Sequence, residues 1–257
     1  MNNNQCIVIF PIYKSLDEQE KKSVRQGIKM TNGFKHVFIA PESLVLDDSF
    51  EEFLPVEIVR FENCFFAGIK GYSTLMLSKH FYYRFQDYEF ILIHQTDAYV
   101  FKPELDYWCN LDYDYIGAPW LEPEKKFKNK WRKVVFEAFL HLFFEKSEHC
   151  LQYLKVGNGG LSLRKTTAFI EVLEKAPKFL FSFYKKYLIH SLNEDMFWGI
   201  MANRIIKDFN VPNWKRALGF AMETKPATAF QLNDNQLPFG CHAMYKYEPE
   251  FWMQYIK

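Results

Sequence analysis

Phe90-Ile-Leu-Ile-His-Gln-Thr-Asp-Ala-Tyr-Val-Phe101 decides the fold: a run of large and β-branched apolar residues meets Gln95, Thr96 and Asp97, then turns apolar again. Such a run, ending abruptly in polar groups, reads as a buried parallel strand that delivers those groups to its C-terminal edge. Open α/β sheets bind ligands at that edge. A carboxylate placed there, with a polar neighbour two residues earlier, suits a divalent cation bridging two phosphates, because hard cations take oxygen ligands and keep several for the substrate.

Upstream, Cys6 to Phe10 is predicted as a first buried strand, followed by Pro11-Ile-Tyr-Lys14. Ser15 with Glu18 forms a capping-box pattern, so a helix is expected from about Leu16 to Met30, stopped by Asn32-Gly33. His36 to Ala40 is the second strand, with Pro41-Glu42-Ser43 at its end. This strand, helix, strand order opens a nucleotide-binding α/β sheet. Glu42 there either hydrogen-bonds a ribose or base or is a surface loop residue. Val56 to Phe61 is a third strand. Gly71 to Phe85 reads as one helix, with Tyr72, Leu75, Met76 and Tyr83 at helical spacing. A helix start at Gly71 would bring its backbone N–H groups, or Ser73, toward a phosphate.

After the central strand come a short helical piece, Glu104 to Cys109, and a strand, Tyr113 to Ala118. The literal Asp-x-Asp of the chain, Asp112-Tyr-Asp114, precedes its strand instead of ending it. It is therefore expected on the edge opposite the phosphates, as a solvated turn. Val156-Gly-Asn-Gly-Gly-Leu-Ser-Leu-Arg164 supplies a turn whose glycines allow close approach to a ligand or positive φ. Arg164 and Lys165 then face either solvent or a diphosphate. Thr166 to Lys175 and Phe179 to Ile189 are predicted helices. Asn193-Glu194-Asp195 caps an amphipathic helix carrying Met196, Phe197, Ile200, Met201, Ile205 and Ile206. Acidic residues in a first turn suit the helix dipole; the alternative is that one carboxylate is a general base in the cleft. His242, in a loop bounded by Pro238 and Gly240, is either structural or a ligand to metal or phosphate.

At 257 residues the chain suits one large α/β domain over residues 1–257. Lys plus Arg (32) nearly balances Asp plus Glu (31), which argues against a nucleic-acid partner. Five cysteines without paired ligand spacing suggest reduced thiols and a cytoplasmic protein. Met-Asn-Asn-Asn-Gln lacks the basic and apolar regions of a signal peptide, and no run approaches the roughly 18 apolar residues of a membrane span. Six basic residues within 125–133 lead into the aromatic run 134–144, a helical insertion at about 122–152. It is either a buried helix with a solvated basic start or a segment lying at the inner face of a membrane.

Together, Gly71-Tyr-Ser, Gln-Thr-Asp-Ala-Tyr-Val-Phe101, Tyr113-Asp-Tyr-Ile-Gly-Ala-Pro-Trp120, Val-Gly-Asn-Gly-Gly-Leu-Ser-Leu-Arg164, Glu-Asp-Met-Phe-Trp198 and Pro-Phe-Gly-Cys-His242 resemble a little-characterised family of bacterial GT-A-like glycosyltransferases associated with surface polysaccharide synthesis. The resemblance runs from about Cys6 to Trp252. It implies a mixed, mostly parallel sheet flanked by helices and the transfer of a sugar from a nucleotide-diphosphate donor, a UDP-sugar, to a glycan or lipid-linked acceptor. By that resemblance Asp97 and His242 bind Mn²⁺ or Mg²⁺. Gln95 stands where a first aspartate is usual, a neutral and poorer ligand. Gly159 and Gly160 match the glycine turn between donor and acceptor in the similar fringe-like and galactosyltransferase families. Asp195 matches the catalytic base of their Glu-Asp motif, with Glu194 beside it, which implies inversion. The expected donor-side residues are Pro11, Tyr13, Glu42, Ser73, Gln95, Thr96, Asp97, Asn158, Gly159 and Gly160. Two rivals are a non-catalytic sugar-binding module of the same fold, which Gln95 favours, and a nucleotidyltransferase, which the absence of a Gly-rich loop after the first strand disfavours.

Overall fold

A computed structural model of the protein describes residues 4–121, 153–184 and 193–256. The basic and aromatic insertion at 122–152 and residues 185–189 of the expected helix at 179–189 lie outside the described residues, while the start of that helix is observed at Lys178–Phe183. Nine strands are described: β1 (Cys6–Pro11), β2 (Lys35–Pro41), β3 (Glu57–Phe61), β4 (Phe90–His94), β5 (Tyr99–Val100), β6 (Tyr115–Ile116), β7 (Leu161–Lys165), β8 (Ala221–Met222) and β9 (Gly240–Cys241). Six form a sheet in the order β3-β2-β1-β4-β7-β6. The first four are parallel, and β7 runs antiparallel to both β4 and β6. A small second sheet, β5-β9-β8, continues from the end of β4.

The central strands are apolar throughout because both of their faces are covered. Ile7, Ile9, Val37, Ile39, Ile91 and Ile93 pack into one core layer. Val8, Phe10, Phe38, Ala40 and Leu92 pack into the other. Each large side chain so buried contributes about 1.5–3 kcal/mol. A one-residue slip of β4 would send His94 into the layer that Ile93 fills and break both cores. The predicted mixed, mostly parallel sheet flanked by helices is therefore the one observed. Among the described residues, no helix is long and apolar enough to cross a membrane, and Cys6, Cys64, Cys109 and Cys241 are free thiols.

Helix α1 (Glu18–Met30) ends where expected but starts differently. Its capping box is Asp17 with Glu20, not Ser15 with Glu18: Asp17 Oδ1 accepts from the Gln19 and Glu20 amides at 3.0 and 2.9 Å, and Glu20 Oε2 accepts from the Asp17 amide at 3.1 Å. A carboxylate is a stronger cap than a hydroxyl facing the helix dipole, and the Ser15 hydroxyl is engaged by Asp47. The single helix expected over Gly71 to Phe85 is two, α2 (Gly68–Met76) and α3 (Lys79–Arg84), with Ser78 capping the second. Helix α4 spans Leu105–Asn110 and α5 spans Thr166–Lys175. The chain from Glu194–Met196 (α6) passes through a wide π-type turn at Phe197–Met201, and α7 is Trp214–Phe220.

Candidate active site

The turn after β4 carries the polar triplet out of the sheet. The Ala98 amide donates to the Gln95 carbonyl at 2.9 Å, and the Gln95 amide donates to the Gly160 carbonyl at 2.8 Å, which clamps this turn to the glycine turn before β7. In the second sheet β8 and β9 run parallel, so both end at this edge. Glu223 and His242 are the residues that follow them.

Three side chains, Asp97, Gln95 and Glu223, converge on one imidazole. His242 Nε2 lies 3.1 Å from Asp97 Oδ1 and 3.1 Å from Gln95 Oε1, and its Nδ1 lies 3.2 Å from Glu223 Oε1. The His242 side chain is 14% exposed and that of Asp97 48%. Burial works against a charged ring, but the Asp97 and Glu223 carboxylates outweigh it and push the His242 pKa up to about 10. For Asp97, burial would raise the pKa, yet the hydrogen bond and charge of His242 hold it below its ordinary value.

These groups fit a divalent cation. Donors on adjacent vertices of an octahedron with bonds of about 2.1 Å stand about 3.0 Å apart. The Asp97 oxygen and the Gln95 oxygen each stand at nearly that separation from His242 Nε2. A cation would have to displace the proton that His242 Nε2 shares with Asp97, after which Glu223 on the other ring nitrogen would orient the ring as carboxylates behind metal-bound histidines do. Among the described residues no three His, Cys, Asp or Glu side chains gather as a ligand set, because the third donor here is an amide.

The glycine turn is shaped by the protein's own side chains. A Cβ on Gly160 would stand 2.1 Å from His242 Nε2, and one on Gly159 would stand 2.1 Å from Glu194 Oε1. The positive φ of the turn, +66°, falls on Asn158. The Asn158 side chain is buried and its Oδ1 accepts from the Gly160 amide at 2.8 Å, so it braces the turn.

Glu194 and Asp195 have separate fates. Glu194 is buried: its Oε2 accepts from the Ser73 hydroxyl at 3.0 Å, and its Oε1 lies 3.6 Å from Arg164 Nη2. The catalytic placement expected for Glu194 is therefore corrected to an internal ion pair. Arg164, expected toward solvent or a diphosphate, is fully buried, donating to the Tyr82 hydroxyl at 2.9 Å and the Ser162 hydroxyl at 3.1 Å. Ser73 is corrected too. Because α2 begins at Gly68, Ser73 sits a turn inside it, and its hydroxyl is committed to Glu194 instead of a phosphate. Asp195 is only half-buried. Desolvation, with the charges of Glu194 and Glu223, pushes its pKa up to about 7.

The remaining expected residues line the same sheet edge at increasing distance. Ile9 pairs with Ile93, so Pro11 comes level with Gln95. Tyr13 is 57% exposed, and burial together with the charges of Glu20 and Asp97 raises its phenol pKa. Glu42 follows β2, two strands and about 10 Å from β4, and is exposed. Thr96 turns away: its hydroxyl donates to Glu20 Oε1 at 2.9 Å, so it ties the turn to α1 and does not face the cleft. Asp112 and Asp114 lie at the opposite edge, paired with Lys165 and with the Asn210 amide at 2.7 Å, as their position before a strand predicted. Glu223 was not anticipated. Its signal in the sequence is Leu218-Gly-Phe-Ala-Met-Glu223, an apolar run ending in a carboxylate as the β4 run does.

Sheet order, the polar turn after the fourth strand and a histidine returning from the C-terminal region define a GT-A-like glycosyltransferase fold. The chain belongs to the family described as Protein of unknown function (DUF5672), which matches residues 55–242. Solved structures of similar fold include a glycosyltransferase involved in the glycosylation of the major capsid of PBCV-1, 11% identical, covering 93% of this chain and 93% of that one with a TM-score of 0.50. Mouse xyloside xylosyltransferase 1 is likewise 11% identical, covering 91% and 96%, with a TM-score of 0.50. No curated protein matches the chain in sequence.

Proposed function

We propose that residues 1–257 act as one GT-A-like transferase that moves a sugar from a UDP-sugar to a glycan or lipid-linked acceptor with Mn²⁺ or Mg²⁺ bound. The observation that carries this reading is the convergence of an Asp97 oxygen and the Gln95 side-chain oxygen within 3.1 Å of His242 Nε2 on the ligand-binding edge of the sheet. The cation, when bound, neutralises charge gathering on the departing diphosphate. Asp97 and Gln95 offer oxygens and His242 offers Nε2, while Glu223 holds the ring through Nδ1. Gly160, without a Cβ, lets the imidazole pack against the glycine turn. Asp195, poised near pH 7, takes the proton of the acceptor hydroxyl, and attack from the face opposite the diphosphate inverts the anomeric centre.

A role in bacterial surface polysaccharide synthesis at the cytoplasmic face of the inner membrane belongs to the same reading and rests on the motif resemblance and the basic stretch at 125–133. The test replaces Asp97 with Asn and follows transfer and donor hydrolysis across a set of nucleotide sugars with Mn²⁺. Activity is expected to fall at least ~100-fold, with the melting temperature nearly unchanged because Asp97 is half exposed. Full activity in the variant sinks the cation assignment. UDP binding without turnover of any donor by the unsubstituted protein points instead to a sugar-binding module.

A further inference from the structure

On the side of the second sheet away from Asp97, a cavity of about 520 Å³ opens between α4 and α7. Its walls include Lys102, Tyr107, Trp108, Arg216, Asn233 and Gln236. The Arg216 guanidinium lies 5.4 Å from the ring centroids of both Tyr107 and Trp108 and donates to the Tyr107 hydroxyl. Tyr107 is 45% exposed. Asn233 spends its Nδ2 on the Gln236 carbonyl at 2.8 Å, and its Oδ1 is turned toward Gly219 at the cavity wall. Among the described residues neither Lys102 nor Arg216 is in an ion pair, and the one carboxylate on the wall is Glu104. Lys102 follows Asp97 by five residues, so the two lie at most ~18 Å apart along the chain.

We infer that this cavity is a binding subsite for a negatively charged sugar unit of the acceptor, separate from the Asp97–His242 centre. The inference rests on the transferase reading for the word acceptor, while the site itself rests on its own chemistry. An exposed aromatic ring offers a face to the C–H side of a pyranose, and a carboxamide oxygen accepts from hydroxyls. A guanidinium pre-oriented by two rings binds a carboxylate or phosphate through paired N–H donors. The volume is that of an ordinary small-molecule site. A neutral sugar would leave two cations facing a single carboxylate.

Calorimetry on the full chain compares a galacturonate tetrasaccharide, glucose 6-phosphate, maltotetraose and inorganic phosphate, with UDP plus Mn²⁺ titrated into the same samples. The acidic saccharides are expected to bind, and which binds more tightly identifies carboxylate or phosphate as the anion. Maltotetraose should be about tenfold weaker or worse. Arg216→Ala, and Lys102→Glu as a variant that leaves the aromatic stack intact, should each weaken the acidic saccharide about tenfold and leave UDP binding within roughly twofold. Equal binding of the neutral saccharide, inorganic phosphate as tight as the sugars, or indifference to both substitutions overturns the subsite. Loss of UDP binding by the unsubstituted protein would instead count against the transferase reading and leave the saccharide result to be judged separately.

Discussion

Two charged networks lie on either side of the glycine turn and differ in one physical variable, water. Above it, Asp97 and His242 meet at 3.1 Å with side chains 48% and 14% exposed. Below it, Arg164 and Glu194 stand 3.6 Å apart with side chains 0% and 6% exposed. Gly160 touches the upper network and Gly159 the lower. The open pair can exchange its partner for a ligand at modest cost, because solvent stands in for whatever leaves. The closed pair cannot, since a charge without a partner in a dry interior is destabilising by several kcal/mol. Adjacent glycines thus separate a network suited to chemistry from one that holds the turn in place.

The sharpest way to break that contrast is Arg164→Leu. It leaves Glu194 buried and uncompensated and strips donors from Tyr82 and Ser162. Stability should fall by about 3–5 kcal/mol, read as a lower urea midpoint at unchanged slope. Adding Glu194→Gln should restore part of the loss, because the stranded charge is then gone. If Arg164→Leu alone is nearly neutral, the lower network does not hold the turn in the way described.

The same contrast explains what could be read before the structure. β4 and Asp97 were legible because a fully apolar run is forced inside and its first polar residues mark where it emerges. His242 was legible only as one of two options, since a loop histidine does not announce its partners. The division between Glu194 and Asp195 was not legible. Which of two adjacent acids points inward depends on the phase of one helical turn and on a cation, Arg164, contributed by a strand thirty residues earlier. Arg164 itself misleads, because arginine is almost never fully buried unless paired. Ser15 and Asp17 offered two overlapping capping patterns, and only the engagement of Ser15 by Asp47 separates them. Glu223 sits behind a two-residue strand, too short for any periodicity to show.

A smaller effect sharpens the upper network. Glu223→Gln keeps the shape but removes the carboxylate behind His242 Nδ1. Carboxylates in this position typically matter by 10–100-fold in metal affinity, or about 1.4–2.8 kcal/mol. Mn²⁺ binding by calorimetry should weaken by that factor, while the urea midpoint moves far less than in Arg164→Leu. A change under twofold would leave Glu223 as packing and nothing more.

The smallest effect concerns Asp195, on the boundary between the two networks, and its sign is opposite to the others. Its pKa is raised to about 7 by desolvation and by Glu194 and Glu223, against about 3.9 in the unfolded chain. Between those values the folded protein binds the extra proton, so folding stability falls as pH rises from about 4 to about 7 and the penalty is complete above pH 7. Removing the charge with Asp195→Asn should therefore stabilise the protein at pH 8, by about 1–2 kcal/mol once the water reaching a half-buried carboxylate is allowed for. That is several degrees in melting temperature for a domain of this size. At pH 4, where the acid is already protonated, the two proteins should melt together. The same substitution should abolish transfer at every pH, since an amide cannot accept the acceptor's proton, and in the unsubstituted protein kcat/KM should rise through an apparent pKa near 7. A variant that is stabilised but still transfers sugar would show that Asp195 is strained for some reason other than base catalysis, and a variant that is destabilised at pH 8 would show that its carboxylate is a partner in the lower network and not a group held against its preference.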